Sequence, residues 1–411
     1  MISRIRAAVF FGGPSVEHEV SVITAMQAIQ AMDRERYEVI PVYVTKTGAF
    51  YTGDHLSDLA SFRNIPAALE QAREVLLQKN GSEVQLIPAK PRRLGKNPVQ
   101  GVDVALPIFH GTGGEDGVMQ AHFERLGLPY TGPDVTSSAI GMDKWASKAM
   151  FKLAGVPCVD GVKVSQSDYF TDPEAIAAKI EQAVGYPSII KPYNLGSSVG
   201  IHKCRDRASL LEGLEDAFLY SSAVLAERAV QNLREINCAV LGDDEEARAS
   251  VCEEPLNATD ILTYADKYQS GGGGKTGSKM GSKTGSKTGG SQGMQSLARV
   301  VPADLPVEMS ERVQQLAICA FRAIGACGCS RIDFLLDNAT GELFVNEINT
   351  IPGSLAFYLW EHSGLSFPEL MDEMIRLALK RQRKQSLLHR SFETNLLENA
   401  NIGGAKAGKK V

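Results

Sequence analysis

The sequence predicts an α/β protein of several domains that opens on a parallel-sheet βαβ unit. Three observations lead there. The chain has 411 residues, more than one core organises, which implies two or three domains. Its composition, 44% hydrophobic and 22% charged, suffices to bury real cores. Residues 4–53 then alternate between strand-like and helix-like patterns, the signature of strands joined by a crossover helix.

The elements follow in order. Ile5–Phe11 is a short apolar run that ends in Gly12-Gly13. From about Val16 to Met32 the spacing is helical, with Val20, Ile23, Thr24, Gln27, Ala28 and Ala31 on one face. Tyr37–Val44 is again β-branched and apolar. After a polar stretch (54–100), Val102–Phe109 predicts a buried strand, 117–126 a helix and Leu128–Thr131 a short strand. A long helix is expected over 134–155, closed by Gly155 before Val156-Pro157. A strand at 186–191, a glycine-rich loop at 194–200 and a helix near 207–219 come next. Strands near 223–230 and 234–241, a hairpin over 329–349 and an amphipathic helix from Phe367 complete the list. That helix is expected to bury Leu370, Met371, Met374 and Leu377.

Two segments carry no core signal. Residues 271–290 repeat a Lys-Thr-Gly-Ser tetrapeptide, and the tail from 391 ends in Lys409-Lys410-Val411; both are expected to be flexible. Gly271–Thr276 mimics a phosphate-binding P-loop, but Gln269 stands where the motif needs glycine, so the repeat alone explains it.

Composition also excludes classes. A net charge of -5 argues against a general nucleic-acid or anionic-membrane binder, and no apolar run approaches a membrane span. The seven cysteines are scattered and odd in number, which reads as buried thiols in a reducing cytosol.

Four constellations carry chemistry. In Arg331-Ile-Asp333 and Glu347-Ile-Asn349, period two puts each pair on one strand face. If Asp333 lies opposite Glu347, the pairing centre is Thr340, and two carboxylates and an amide converge beside a guanidinium. Such hard oxygen ligands suit Mg²⁺ with phosphate. Lys191-Pro192, followed by Asn194-Leu-Gly196-Ser197-Ser198-Val199-Gly200, offers a lysine and a loop of N–H groups and hydroxyls to phosphate. Lys144 is a second candidate cation. Phe11 to Ser21 joins a strand to a helix N-terminus and carries Glu17 and Glu19, which alternatively only cap the helix. Finally, His110-Gly111 through Gly117 lies at the carboxyl end of a buried strand, where open α/β sheets place ligands.

Six ordered motifs together make the chain resemble the D-alanine–D-alanine ligases of the ATP-grasp superfamily, from about residue 5 to 385. They are Gly12 to Ser21, His110 to Gly117, Gly141-Met-Asp-Lys144 through Lys148, Lys191 with Gly196 to Gly200, Arg331-x-Asp333, and Glu347-x-Asn349 with Pro352-Gly353. The resemblance implies an ATP-grasp fold: residues 1–135 a substrate-binding α/β domain, 136–224 a central lid subdomain, 225–390 a catalytic subdomain with an insertion at 271–296, and 391–411 a tail. It implies a cytoplasmic homodimer that joins two D-alanines through an acyl phosphate for peptidoglycan synthesis, with no nucleic-acid or membrane partner.

The resemblance also assigns roles. Lys144, Lys191, Ser197, Ser198, Val199, Glu227, Glu235 and Lys267 would bind ATP, Glu227 through its ribose. Asp333, Glu347 and Asn349 would hold two Mg²⁺ or Mn²⁺. Glu17, Ser197, Tyr268 and Arg331 would be catalytic, Arg331 stabilising the tetrahedral oxyanion. His110, Gly353 and Tyr358 would contact substrate, and the 264–268 loop would close over the site. Two departures stand out. The repeat falls within that loop, and Ser354-Leu-Ala-Phe357-Tyr358-Leu-Trp360 replaces a Thr/Ser-rich stretch that meets the second substrate's carboxylate. The second departure keeps open a ligase of the same mechanism with D-serine, D-lactate or another amino acid as second substrate.

Overall fold

A computed structural model of the chain describes residues 4–91, 97–196, 199–256 and 299–389. The repeat, the tail, Ser197, Ser198, Lys267 and Tyr268 lie outside the described residues.

Three sheets organise them. The first contains β1 (Ile5–Gly12), β2 (Tyr37–Val44), β3 (Phe50–Thr52), β4 (Arg73–Asn80), β5 (Glu83–Pro88), β6 (Gln100–Val102) and β7 (Val104–Ile108). Strand β1 pairs in parallel with both β2 and β7, as the alternating pattern predicts. The polar stretch is not bare loop. It adds the antiparallel strands β3 to β6 and the helix Ile65–Gln71, so the sheet is mixed. Because β1 is covered on both faces, Ala7, Val9 and Phe11 enter one core while Ala8 and Phe10 enter another.

The second sheet is antiparallel and runs β10 (His202–Cys204), β9 (Ser188–Pro192), β11 (Ala223–Arg228), β8 (Gly161–Ser165). The helices Pro173–Val184, which sequence reading passed over, and Arg207–Ala217 pack on it. The third, also antiparallel, runs β14 (Arg299–Val300), β13 (Ala247–Pro255), β12 (Leu233–Gly242), β15 (Gly328–Asp337), β16 (Leu343–Asn349). On its even-numbered face Ile236, Cys238, Ile332 and Phe334 pack with Val313, Ala317 and Phe321 of the helix Val307–Ala323. On the odd-numbered face Ala239, Leu241 and Cys329 share a core with Ala7, Val9 and Leu106 of the first sheet. The helix Phe367–Ser386 enters that same core through Leu370, Met371, Met374 and Leu377, the residues its periodicity selects.

Other expectations are corrected. The helix after Glu17 runs from His18 to Ala31 and is buried nearly all round: Ser21, Val22, Ala25 and Ile29 are covered as well as Val20, Thr24 and Ala28. Leu128–Thr131 is no strand; it makes one isolated bridge, Tyr130 to Ala105. The long helix over 134–155 is two, Val135–Met142 and Lys144–Leu153. Asp143 separates them, because its side chain accepts from the backbone N–H groups of Trp145 and Ala146 and so caps a new start. All seven cysteines are free; five are buried, Cys158 is half-buried and Cys319 exposed.

Candidate active site

The site begins with strand register. Asp333 lies opposite Glu347 and Arg331 opposite Asn349, so the pairing centre is Thr340 as expected. Asn237 on β12 lies opposite both Asp333 and Glu253 of β13. Directly opposed residues share a face, so Glu347, Asp333, Asn237 and Glu253 form one polar row across four strands, on the odd-numbered face. A β-bulge at Asn346 precedes Glu347, since Asp333 pairs with Glu347 but Phe334 with Val345. It explains how Val345 and Ile348, three apart, both reach the core while Asn346 turns out of it. Asn346 then accepts from Lys191 Nζ through Oδ1 at 2.9 Å, a contact that period two alone hides.

Within the row, Arg331 grips Asp333 with two bonds, Nε to Oδ1 at 2.7 Å and Nη2 to Oδ2 at 2.8 Å. Asn349 Nδ2 also donates to Oδ2, at 3.0 Å. Burial alone would weaken the guanidinium charge, but Asp333, with Tyr358 and Glu253 behind it, holds its pKa well above the ordinary value. The pair is nearly closed to solvent: the side chains are 10% and 16% exposed.

The lysines come from the second sheet and from the helix Lys144–Leu153, which packs on the third sheet's core through Phe151. Lys144, the first residue of its helix, donates from Nζ to the Leu195 carbonyl at 2.8 Å and pairs with Glu347 at 3.1 Å. One ammonium thereby ties the glycine-rich loop to the carboxylate hairpin. Deeper down, Lys148 and Lys191 each lie 2.5 Å from Glu227, one on each carboxylate oxygen, with all three side chains 5% exposed or less. Burial would raise the Glu227 pKa, yet the two ammoniums outweigh it and hold the carboxylate below its ordinary value. Burial also lowers Lys148, and Lys191 adds to that. Two cations on one buried anion leave a positive excess, which attracts phosphate. Glu227 is thus engaged by lysines on both oxygens; Glu235 and Val199 are half-buried.

The first sheet closes the other side. Glu17 occupies the N-cap position of the helix His18–Ala31, but its side chain makes no capping bond there, so capping does not account for it; it is 7% exposed. Its Oε2 would lie 2.8 Å from a Cβ placed on Gly111 and 2.8 Å from one on Gly196, so it sits between both loops. His110 contacts Thr24 Oγ1 through Nε2 at 2.9 Å, and the Ile351 backbone also bonds its ring. Thr24 Oγ1 accepts from Ser354 N at 3.1 Å. Glu115, which sequence reading left within its motif, accepts from Gly111 N at 2.7 Å and Ile351 N at 3.0 Å and so clamps the two loops together.

Two pKa shifts here oppose each other. Burial, with the Arg331 charge adding to it, takes His110 from 6.5 down to about 4. Burial and the Glu17 charge take Glu115 from 4.5 up to about 8. The unfolded chain takes up the histidine proton first as pH falls, so the His110 contribution to stability drops from about 6.5 to about 4. Glu115 works the other way, since the native state keeps its proton longer and stability falls as pH rises from about 4.5 to about 8. A full proton of difference is worth about 1.4 kcal/mol per pH unit. Relative to the unaltered chain, His110→Gln is expected to tilt stability toward falling with pH between 5 and 6.5, and Glu115→Gln toward rising. Urea midpoints across that range measure both slopes.

The aromatic stretch is explained by packing. Gly353 opens a short turn whose residues Ser354, Leu355 and Ala356 adopt left-handed backbone, with φ of 51°, 51° and 49°. Leu355, Ala356, Phe357, Leu359 and Trp360 belong to the core shared with the first sheet. Phe357 stacks on Phe367 at 4.4 Å, and Trp360 Nε1 donates to Cys329 Sγ at 3.3 Å. Tyr358 alone returns to the polar row: its hydroxyl donates to Glu253 Oε1 at 2.9 Å. Sequence reading missed Glu253, Asn237, Asn346 and Thr24, whose places depend on register and on contacts between sheets.

As a cation site, the set Asp333, Glu347 and Asn349 offers hard oxygens from two acids and an amide, which fits Mg²⁺ or Mn²⁺ in kind. Among the described residues no cluster of three His, Cys, Asp or Glu provides a different centre, and no helix is long and apolar enough to cross a membrane.

Residues 6–133 match the family model for the D-ala D-ala ligase N-terminus, and residues 150–288 and 287–376 that for the C-terminus. A D-alanine–D-alanine ligase of Thermoanaerobacter sp. is 38% identical over 91% of this chain and 96% of its own. The solved D-alanine-D-alanine ligase of Coxiella burnetii has a TM-score of 0.74 at 27% identity, covering 93% of this chain and 96% of that one. The VanG D-Ala:D-Ser ligase of Enterococcus faecalis gives 0.73 at 28%, over 92% of this chain and 100% of that one. The structures share the ATP-grasp architecture that the motifs imply. This chain, matched by the family models at both ends, belongs to the D-alanine–D-alanine ligase family.

Proposed function

We propose that the protein is an ATP-dependent ligase that joins two D-alanines through an acyl phosphate and so supplies D-alanyl-D-alanine for peptidoglycan precursors. The observation that carries the reading is Lys144 Nζ, which bridges the glycine-rich loop at Leu195 and the carboxylate hairpin at Glu347. One site therefore gathers a phosphate loop, buried cations and paired acids, which transfer of phosphate to a carboxylate requires.

Lys144, Lys191 and the loop Ser197–Val199 hold the phosphates, and the buried excess charge around Glu227 favours them. With both Glu227 oxygens on lysines, we assign the ribose contact to Glu235 in place of Glu227, which serves the site by holding Lys148 and Lys191. Asp333, Glu347 and Asn349 would hold two divalent cations, which would supply charge neutralisation at phosphate oxygens. Glu17 receives the ammonium of the first D-alanine beside His110 and Gly111. The carboxylate of that substrate attacks the γ-phosphorus, ADP leaves, and the acyl phosphate forms. The second D-alanine then attacks the acyl carbon through its free amine. Arg331 stabilises the oxyanion, and phosphate departs. Gly353 and Tyr358 flank the second substrate, and Lys267, Tyr268 and Ser197 keep the roles that the motifs imply.

Replacing Gly111 by alanine tests the Glu17 assignment. The new Cβ would lie 2.5 Å from Ser15 Oγ and 2.8 Å from Glu17 Oε2, at a φ of +75°. Displacing a charge-assisted contact costs about 1.5–3 kcal/mol, so KM for the first D-alanine is expected to rise about 10- to 100-fold. Steady-state kinetics with ATP saturating checks it.

The test of the function is ATP-dependent phosphate release with D-alanine alone, then with D-serine, D-lactate or L-alanine added. Release with D-alanine alone, with D-alanyl-D-alanine found by mass, supports the reading; release only with a second compound overturns it in favour of another acceptor.

A further inference from the structure

Glu253 has no part in the reaction above, yet it is among the most fully enclosed acids of the molecule, at 2% exposure. Its Oε1 accepts from Asn237 Nδ2 at 3.0 Å and from the Tyr358 hydroxyl at 2.9 Å, and its Oε2 from Arg299 Nη1 at 2.9 Å. The Arg299 guanidinium also lies over the Tyr358 ring, 4.2 Å from its centre. A buried carboxylate needs a cation, and Arg299 provides it. Neutralisation alone does not require the two further donors, nor a place in the row with Asp333 and Glu347.

The order of that row gives the carboxylate its meaning. Glu347 stands at the phosphate end, where Lys144 reaches it. Asp333 and Arg331 are one strand further on, and Glu253 is three strand spacings from Glu347, roughly 14 Å. Phosphate and second substrate attach to the same acyl carbon from different sides, so the far end of the row is the side left for the incoming amino acid. Tyr358 commits its proton to Glu253, whose Oε1 also holds Asn237, the residue opposite Asp333, and this leaves the Tyr358 oxygen an acceptor on the side that faces the Arg331–Asp333 pair. Such an oxygen takes an N–H, and among the reacting groups the one that carries it is the attacking amine.

We propose that Glu253 is a positioning residue for the second half of the reaction: it fixes the Tyr358 oxygen as the acceptor for the amine of the second amino acid beside Arg331. The proposal rests on the ligase reading and adds to it a second-substrate contact of opposite polarity to a Thr/Ser hydroxyl that donates to a carboxylate.

The experiment separates the two halves in the full chain. ATP labelled with ¹⁸O in its βγ bridge scrambles the label when acyl phosphate forms reversibly, and this reports the first half alone at low D-alanine. Glu253→Gln is expected to keep scrambling within about twofold of the unaltered enzyme, while kcat/KM for the second D-alanine falls about tenfold, the worth of one charge-assisted hydrogen bond. Tyr358→Phe, which removes only the hydroxyl, should show the same tenfold loss, and the double variant no further loss. Parallel loss of scrambling and ligation in Glu253→Gln would overturn the proposal and leave Glu253 a structural anchor; so would unchanged ligation in both variants. No scrambling in the unaltered protein would instead overturn the ligase reading itself.

Discussion

Arg331→Lys is expected to lower kcat for dipeptide formation by about 10²–10³, the usual loss when one donor to a developing oxyanion is removed. Lysine keeps the positive charge, so the experiment isolates geometry. The guanidinium holds Asp333 with two parallel bonds, Nε to Oδ1 and Nη2 to Oδ2. An ammonium has no such fork and acts as a mobile point charge. The site is nearly closed to solvent, so the misplaced donor is poorly replaced by water. KM for ATP should move little, because the phosphate cations Lys144 and Lys191 are on other elements. Steady-state kinetics with ATP and D-alanine varied in turn measures both. A loss below tenfold would take Arg331 out of the reacting centre.

Glu227→Gln is expected to destabilise the fold by about 3–5 kcal/mol, the cost of breaking a buried charge set by removing one partner. In the native protein Glu227 touches Lys148 and Lys191 at 2.5 Å each. The amide leaves both ammoniums buried without a counter-charge. The Glu227 pKa is held low, so its contribution is complete above the ordinary carboxylate value of 4.5 and is lost only as pH falls through the native one. The full difference is therefore present at neutral pH. Nucleotide should restore part of it, since phosphates supply the missing negative charge, and the added stability per unit of ATP should exceed that of the unaltered chain. Thermal unfolding with and without ATP reads both effects. A loss under 1 kcal/mol would mean that the lysines reach water.

Much of the site was legible in the sequence because it rests on strand periodicity and turn chemistry. The turn at Asn338–Gly341 fixed the hairpin register, and that register alone brought Asp333 to Glu347. The bulge that frees Asn346 was not read, although Val345 and Ile348 are both apolar and three apart, a spacing period two cannot satisfy. Asp143 was a readable break too, since aspartate before an amphipathic run caps helices, but uninterrupted apolar spacing on both sides concealed it.

Glu253 was not legible in the same way. Glu253-Glu254-Pro255 looks like a solvated strand end, and only its pairing with Asn237 shows that the first acid faces inward. The strands β4 and β5 escaped notice because each buries only two residues, Val75 and Leu77 or Val84 and Leu86, among neighbours that stay partly or fully exposed. The aromatic residues at 357–360, whose departure from a Thr/Ser-rich stretch kept the second substrate open in the sequence, are explained by packing, since most of them fill the core between the sheets.

The most direct test of the central claim follows the oxygen of the activated carboxylate. D-alanine labelled with ¹⁸O in both carboxyl oxygens is incubated with ATP, Mg²⁺ and the full-length protein, and the phosphate and dipeptide are weighed by mass spectrometry. The account predicts one ¹⁸O in the released phosphate for each dipeptide formed, because the acyl phosphate breaks between carbon and the labelled oxygen. Dipeptide accompanied by unlabelled phosphate, or labelled D-alanine left intact while ATP is consumed, would contradict it.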